Sequence, residues 1–277
     1  MDALDILKSG KEILKNAGIK DYNIEAEIIL SNILGVKRYK LWTEKIIIPR
    51  EKENQYFFLI QKRIEFIPTA YLIKQVYFWK YKFSIEPGVF IPRPETELII
   101  ETAKQIFQRN DKIKILDVCT GSGIIAVCLS KEFKKSDIIA TDISGKAIKT
   151  ALINAKHLKS ADRIKFFKCN LFPPKKILYN LIVSNPPYIS SSGMVELQKE
   201  VQKEPKRALF GGKDGLIYHK KIIKYAKSFL KKNGYLIMEI SPEQKDFFLT
   251  TNFYPLKIVD IKKDYALLDR VVIFKMW

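Results

Sequence analysis

The stretch Lys112-Ile113-Lys114-Ile115-Leu116-Asp117-Val118-Cys119-Thr120-Gly121-Ser122-Gly123-Ile124-Ile125-Ala126 decides the fold. It begins as an apolar run of strand length, and the glycines that follow mark a turn into a second apolar run. Glycine there lets the backbone bend sharply and press against a ligand at the carboxyl end of the strand, where open α/β sheets bind small molecules. Gly121-x-Gly123-x-x-Ala126 also satisfies the dinucleotide fingerprint. Alone this is weak, because a strand-to-helix turn that holds nothing would read the same way.

Downstream the same grammar repeats. DIIATD, IKFFK, NLIVSN and GYLIMEI are short apolar runs separated by segments of helical spacing such as ALINAKHLKS and HKKIIKYAKSFLKK. The alternation predicts an α/β fold, a mostly parallel sheet covered by helices on both faces. The second strand ends at Asp142, nineteen residues after Gly123, where a carboxylate can accept the hydroxyl hydrogens of a ribose. An N-cap is the competing use for Asp142, and Ser144 is equally placed for it. Asn170-Leu171 sets an amide beside an apolar side chain, a pair suited to reading and covering an adenine ring. Asp117 is placed to orient the loop or to contact the ligand. These features imply a nucleoside ligand, and both nicotinamide cofactors and S-adenosylmethionine contain adenosine.

The chemistry is decided by Asn185-Pro186-Pro187-Tyr188 directly after NLIVS. An amide nitrogen is a poor nucleophile because its lone pair is delocalised, whereas the methyl of a sulfonium is already electrophilic. The side-chain oxygen of Asn185 and the carbonyl of Pro186 can accept the two hydrogens of an NH2 group and turn its lone pair toward the methyl. Pro187 holds residue 186 extended and removes a competing donor. Tyr188 can lie flat against a planar amide or base. The bland reading is a polar turn after a strand, for which Asn-Pro and Pro-Pro are common.

Upstream, residues 1 to about 70 read as helices: Ile6, Ile13, Leu14 and Ala17 recur at helical spacing, as do Ala26, Ile29, Leu30 and Ile33 before Gly35. QVYFWKYKFSIEPGVF then alternates aromatic and β-branched residues with polar ones and predicts a β-hairpin or a pair of short strands joining two domains, closed by Pro87-Gly88. The chain is 277 residues long, 47% hydrophobic, with a formal charge of +19. Such a field would draw it toward RNA, the ribosome or another acidic partner, but the lysines occur as scattered pairs, which favours solvated faces. No eighteen-residue apolar run and no leader pattern occur, so a cytoplasmic, membrane-free location is expected. Three cysteines without C-x-x-C spacing and two histidines argue against a disulfide framework or a metal site.

With these residues in view the chain resembles the release factor glutamine methyltransferases, the PrmC/HemK family, over essentially its whole length. The resemblance rests on the cofactor loop, on Asn185 to Tyr188, on Phe90-Ile91-Pro92-Arg93-Pro94-Glu95-Thr96-Glu97, on Glu204-Pro205 through Ala208-Leu209, and on Gly211-Gly212-Lys213-Asp214-Gly215-Leu216. It implies a Rossmann-like seven-stranded methyltransferase domain over 91–277, a small all-α substrate-recognition domain over 1–74 and a β-hairpin linker over 75–90. It further implies S-adenosylmethionine as cofactor and the glutamine of a release factor's Gly-Gly-Gln tip as target. The family's cofactor residues map onto Cys119, Thr120, Gly121, Ser122, Gly123, Asp142, Leu171 and Asn185, with Phe90 and Thr96 close by. The chain departs from the family at Cys119, where glycine is usual, at Asn170, where aspartate is usual, and at Ser241, where glycine is usual.

Three rival functions remain to be weighed. An amino-methyltransferase acting on adenine or guanine in RNA or DNA would use the same NPPY turn and could stack a flipped base on Tyr188, but the chain has no separate basic, aromatic-rich recognition module. A non-enzymatic binder of release factor or ribosome would have no need of an intact loop and turn. A NAD-dependent oxidoreductase would leave the turn without a purpose.

Overall fold

The computed structural model describes residues 2–277, which divide into two compact units: one runs through Gln75 and also takes in Gln198–Lys203, and the other comprises Val76–Leu197 and Glu204–Trp277.

The first unit is helical, with α1 over Ala3–Asn16, α2 over Tyr22–Leu34, a short α3 over Lys40–Thr43, α4 over Arg50–Ile64 and α5 over Thr69–Ile73. Asp2 caps α1 by accepting the Leu4 amide at 2.9 Å, and Gly35 ends α2 in the left-handed conformation that lets the last carbonyls find donors. The apolar faces meet in a core that includes Ile6, Leu7, Leu14, Ile29, Leu30, Leu41, Tyr56 and Ile60. Arg63, at the end of α4, is only 2% exposed and is held by the carboxylates of Glu25 and Glu200, and Glu25 also accepts the Thr69 hydroxyl at 2.7 Å. Lys199 sits 4.6 Å from the Phe66 ring centroid. A buried guanidinium requires such partners, because desolvation of an unpaired charge costs several kcal/mol or more.

The hairpin begins at Gln75, the residue before the second unit, and is narrower than its sequence suggested: β1 is Gln75–Phe78 and β2 is Tyr81–Ser84, with the turn at Trp79-Lys80. Asn154 ties the end of β2 down by accepting the Ser84 amide at 2.7 Å and donating to the Ser84 carbonyl at 3.0 Å. Phe78 and Phe83 join the main core. Then follow α6 (Glu97–Ile106), β3 (Lys114–Val118), α7 (Ile124–Glu132), β4 (Asp137–Asp142), α8 (Gly145–His157), β5 (Ile164–Lys168), β6 (Tyr179–Ser184), α9 (Ile217–Phe229), β7 (Leu230–Glu239), α10 (Lys245–Thr250), β8 (Leu256–Lys263) and β9 (Asp269–Met276). These form a seven-stranded sheet in the order β5-β4-β3-β6-β7-β9-β8. Neighbours from β5 to β7 are parallel, and β9 runs antiparallel between β7 and β8. Two cores, one on each face, are what a sheet buried on both sides requires.

This is the α/β, Rossmann-like methyltransferase arrangement, with the strand order reversing direction between β3 and β6. A crevice opens at such a switch point beyond the carboxyl ends of the strands.

Candidate active site

Strand register brings the site together. Val118 pairs with Thr141 and with Ser184, and Ser184 pairs with Met238. One residue further on, Cys119, Asp142, Asn185 and Glu239 therefore stand level along the carboxyl edge of β3, β4, β6 and β7. Asn170 and Leu171 follow the neighbouring β5.

The loop after β3 is built by its own polar groups. Thr120 donates its hydroxyl to Asp117 Oδ2 at 2.6 Å and the Ala126 amide donates to the same oxygen at 3.2 Å, which closes the loop over the start of α7. Gly123 has φ +81°, and a Cβ there would lie 2.8 Å from the Ala151 Cβ, so the loop is pressed against α8 where only glycine fits. Cys119 has φ +61°, a left-handed conformation that glycine adopts without strain and a residue with a Cβ does not. Ser122 is buried, and its carbonyl accepts from Asn154 Nδ2 at 2.8 Å.

Asp142 accepts the Gly121 amide at 2.9 Å and the Ser144 amide at 2.8 Å, while Ser144 caps α8 through the Ala147 amide at 3.3 Å. The cap is thus Ser144, and each oxygen of Asp142 keeps a lone pair for a ligand. Burial pushes the Asp142 carboxyl up, against the Ser144 and Gly121 hydrogen bonds and Arg207. Asp117 is fully buried, and burial raises its carboxyl to about 7 although Thr120 and Ala126 pull the other way. Its Oδ1 has no partner among the described residues. Leu171 is buried at φ +63° with its carbonyl taken by the Thr141 hydroxyl, while Asn170 is exposed.

On the other side of the crevice, Asn185 Nδ2 donates to Thr96 Oγ1 at 3.0 Å, Thr96 donates to Glu239 Oε2 at 2.6 Å, and Tyr188 donates its hydroxyl to Glu239 Oε1 at 2.9 Å. Burial, reinforced by Glu239, pushes the Tyr188 hydroxyl well above its ordinary pKa, so it remains a donor. Pro186 and Pro187 are buried. The turn's backbone is gripped in its turn: the Gly211 amide donates to Ile189 O at 2.8 Å, the Ile189 amide to Leu209 O at 2.9 Å, and Gln244 Nε2 to Tyr188 O at 3.2 Å and Gly215 O at 2.9 Å. The GGKDG segment thus forms the wall behind Asn185 to Tyr188. The IPRPETE segment is fixed by Glu204, which accepts the Ile91 amide and pairs with Arg93, whose guanidinium lies 5.1 Å from the Phe90 ring centroid.

Sequence reasoning gave no role to Glu239, Gln244 or His219, and it picked out Glu204 only as the start of a motif. For Glu239 a signal existed: LIMEI places a carboxylate at the end of an apolar strand, as DIIATD and NLIVSN place Asp142 and Asn185. Among the described residues no cluster of His, Cys, Asp and Glu could hold a metal ion, and no helix is long and apolar enough to cross a membrane.

Comparison with known proteins adds the following. The Methyltransferase small domain family matches residues 80–215, and the PrmC N-terminal domain family matches residues 5–73. A release factor glutamine methyltransferase of Dictyoglomus turgidum is 38% identical over 93% of this chain and 94% of its own length. Its counterpart in Clostridium botulinum is 36% identical over 97% of both chains. Among solved structures, a methyltransferase from Pyrococcus furiosus is similar with a TM-score of 0.53 at 18% identity, covering 70% of this chain and 87% of that one. A 16S rRNA N2 G1207 methyltransferase of T. thermophilus, solved with AdoMet and guanosine, gives a TM-score of 0.50 at 12% identity over 73% of this chain and 50% of that one.

Proposed function

The chain belongs to the release factor glutamine methyltransferases, and from that premise we propose that it moves a methyl group from S-adenosylmethionine to the side-chain amide nitrogen of the glutamine in a release factor's Gly-Gly-Gln motif. The observation that carries the reading is the pinned amide of Asn185: its Nδ2 is committed to Thr96, so its Oδ1 is the end left to face a substrate.

The residues fit the cofactor. Cys119 to Gly123 form a glycine-bearing turn at the switch point, Asp142 has acceptor capacity left for ribose hydroxyls, and Leu171 offers an apolar surface for a purine. Asp117 holds the loop in shape from below through Thr120 and the Ala126 amide. Bound S-adenosylmethionine would supply an electrophilic methyl on its sulfonium. Phe90 lies in the segment that carries Thr96, which contacts Asn185, and Asn170 is exposed just beyond the end of β5.

The protein's own part is to make a weak nucleophile act as a better one. Asn185 Oδ1 and the Pro186 carbonyl accept the two hydrogens of the target NH2 group, which localises its lone pair on the side facing the methyl. Tyr188 offers its ring to the planar amide while its hydroxyl is tied to Glu239. Holding both reactants in line can supply on the order of 7 kcal/mol or more of the barrier reduction. Release factors act in translation, so this reading places the protein in the cytoplasm; it assigns the +19 charge to solvated faces.

The test is mass spectrometry of a release factor incubated with the protein and S-adenosylmethionine, beside total RNA and DNA as rival acceptors. A gain of one methyl on the Gly-Gly-Gln glutamine is expected. Labelled nucleic acid with an unmodified release factor would overturn the substrate assignment.

A further inference from the structure

Asparagine is an ambiguous tool. Its amide presents an acceptor at one end and a donor at the other, the two ends are nearly the same size, and a half-turn of the side chain exchanges them. If Nδ2 faced the target, donor would meet donor and the substrate NH2 would be repelled. Something must therefore choose the end, and the choice is visible in the polarity of a short hydrogen-bond chain.

We propose that Thr96 and Glu239 are positioning residues that fix the orientation of the Asn185 amide, and that they act on turnover and not on cofactor binding. The proposal rests on the reading that Asn185 Oδ1 accepts a hydrogen of the target amide. An ionised carboxylate can only accept, so the single hydrogen of the Thr96 hydroxyl is committed to Glu239 Oε2 at 2.6 Å. Thr96 Oγ1 is then left with lone pairs alone toward Asn185, and the Nδ2 end satisfies it at 3.0 Å. The chain runs one way, Asn185 to Thr96 to Glu239.

Burial excludes competitors: Thr96 and Glu239 are each 1% exposed. Burial raises the Glu239 carboxyl above the usual carboxylate range, and the hydrogen bonds from Thr96 and Tyr188 and the charge of Arg270 pull the other way, toward the ionised form that sets the polarity of the chain. The second carboxylate oxygen takes the Tyr188 hydroxyl at 2.9 Å, so one side chain clamps both ends of the NPPY turn. The backbone of Glu239 is fixed as well, its carbonyl meeting His219 Nε2 at 2.8 Å. That histidine is held neutral, burial lowering its pKa to about 4.

The test compares Thr96→Val, Thr96→Ser, Glu239→Gln and Asn185→Ala in the full chain, measuring melting temperature, kcat and KM on a release factor and S-adenosylmethionine affinity by calorimetry. Thr96→Val is expected to lower kcat about tenfold or more with cofactor affinity within about twofold of the parent, because the amide loses its anchor and samples both orientations. Thr96→Ser restores the hydroxyl and should recover most of the lost turnover. Glu239→Gln offers one acceptor oxygen to two donors and should fall between them. Parental kcat in Thr96→Val, a loss of cofactor affinity in proportion to kcat, or failure of serine to rescue overturns the proposal. Asn185→Ala separates the two levels: if it turns over normally, the reading of Asn185 is wrong, whereas an inactive Asn185→Ala beside a fully active Thr96→Val removes only the positioning pair.

Discussion

Glu204 accepts the Ile91 amide hydrogen at 2.9 Å across 113 residues of chain, and it pairs with Arg93 from the same segment. The carboxylate is 1% exposed and the guanidinium 29%. Two short motifs that look independent in the sequence are therefore one piece of structure, and Thr96 is carried on it.

Replacing Glu204 with Ala strands the Ile91 amide and leaves Arg93 without its partner. Because Arg93 keeps access to water, the cost is expected at about 2 kcal/mol, below that of breaking a fully buried pair. It is read as a drop of several degrees in melting temperature, with a fall in kcat as Thr96 loses its support. An unchanged melting temperature would show that the segment is held by other contacts.

Gly215 has φ +73°, and a Cβ there would come within 2.2 Å of the Tyr188 carbonyl oxygen and 2.7 Å of Gln244 Nε2. Gly215→Ala must push the turn out of place. Since displacement of about an ångström can cost roughly a hundredfold in rate, kcat on a release factor should fall by that order while the cofactor loop is spared. Parental kcat would mean that the wall behind Tyr188 yields.

Asp117 makes the pH dependence of the cofactor-free protein predictable. Its carboxyl, raised by burial to about 7 from an ordinary 3.8, holds its proton longer in the folded state than in the unfolded chain. Its contribution to stability is thus full below about pH 4, declines as the unfolded chain releases the proton, and is lost as pH rises through about 7. Asp117→Asn has no proton to lose, so from about pH 5 to about pH 8 the parent's melting temperature should fall relative to the variant's. Parallel curves would sink the assignment of a neutral buried acid.

Cys119 occupies a left-handed backbone conformation at φ +61°. A side chain there costs about 1–2 kcal/mol, part of which glycine returns through its freer unfolded chain. Cys119→Gly should leave the protein as stable or up to about 1 kcal/mol more stable, measured by chemical denaturation. A loss of stability would show that the thiol's packing outweighs the strain.

How much of this was legible in advance follows from where the information lay. The strand-loop alternation announced the sheet because apolar runs of fixed length between helical segments admit few other arrangements. The last two strands were not picked out: β8 contains Lys257, Asp260, Lys262 and Lys263 and has no continuous apolar face, and β9 is short of turn signals on either side. Nor was the start of β7, where Leu230-Lys231-Lys232 continues the helical spacing of α9 by sequence yet belongs to the strand. Asn185 to Tyr188 could be found from local order alone. Glu239 gains its meaning only when pairing sets it level with Asn185, and pairing is a long-range fact that no window of sequence contains.

Arg63 bears on how the protein could be taken apart. One of its two carboxylate partners, Glu200, arrives from a six-residue excursion of the chain far downstream, so the helical unit is not a contiguous stretch. A gene fragment stopping at residue 75 would express α1 to α5 with that guanidinium short of an acceptor and the Phe66 ring without its lysine. Swapping the amino-terminal region between relatives would import the same defect unless residues 198–203 travelled with it. The protein's modules are thus units of inheritance only in pairs of segments, and dissection or chimera building has to cut at three places.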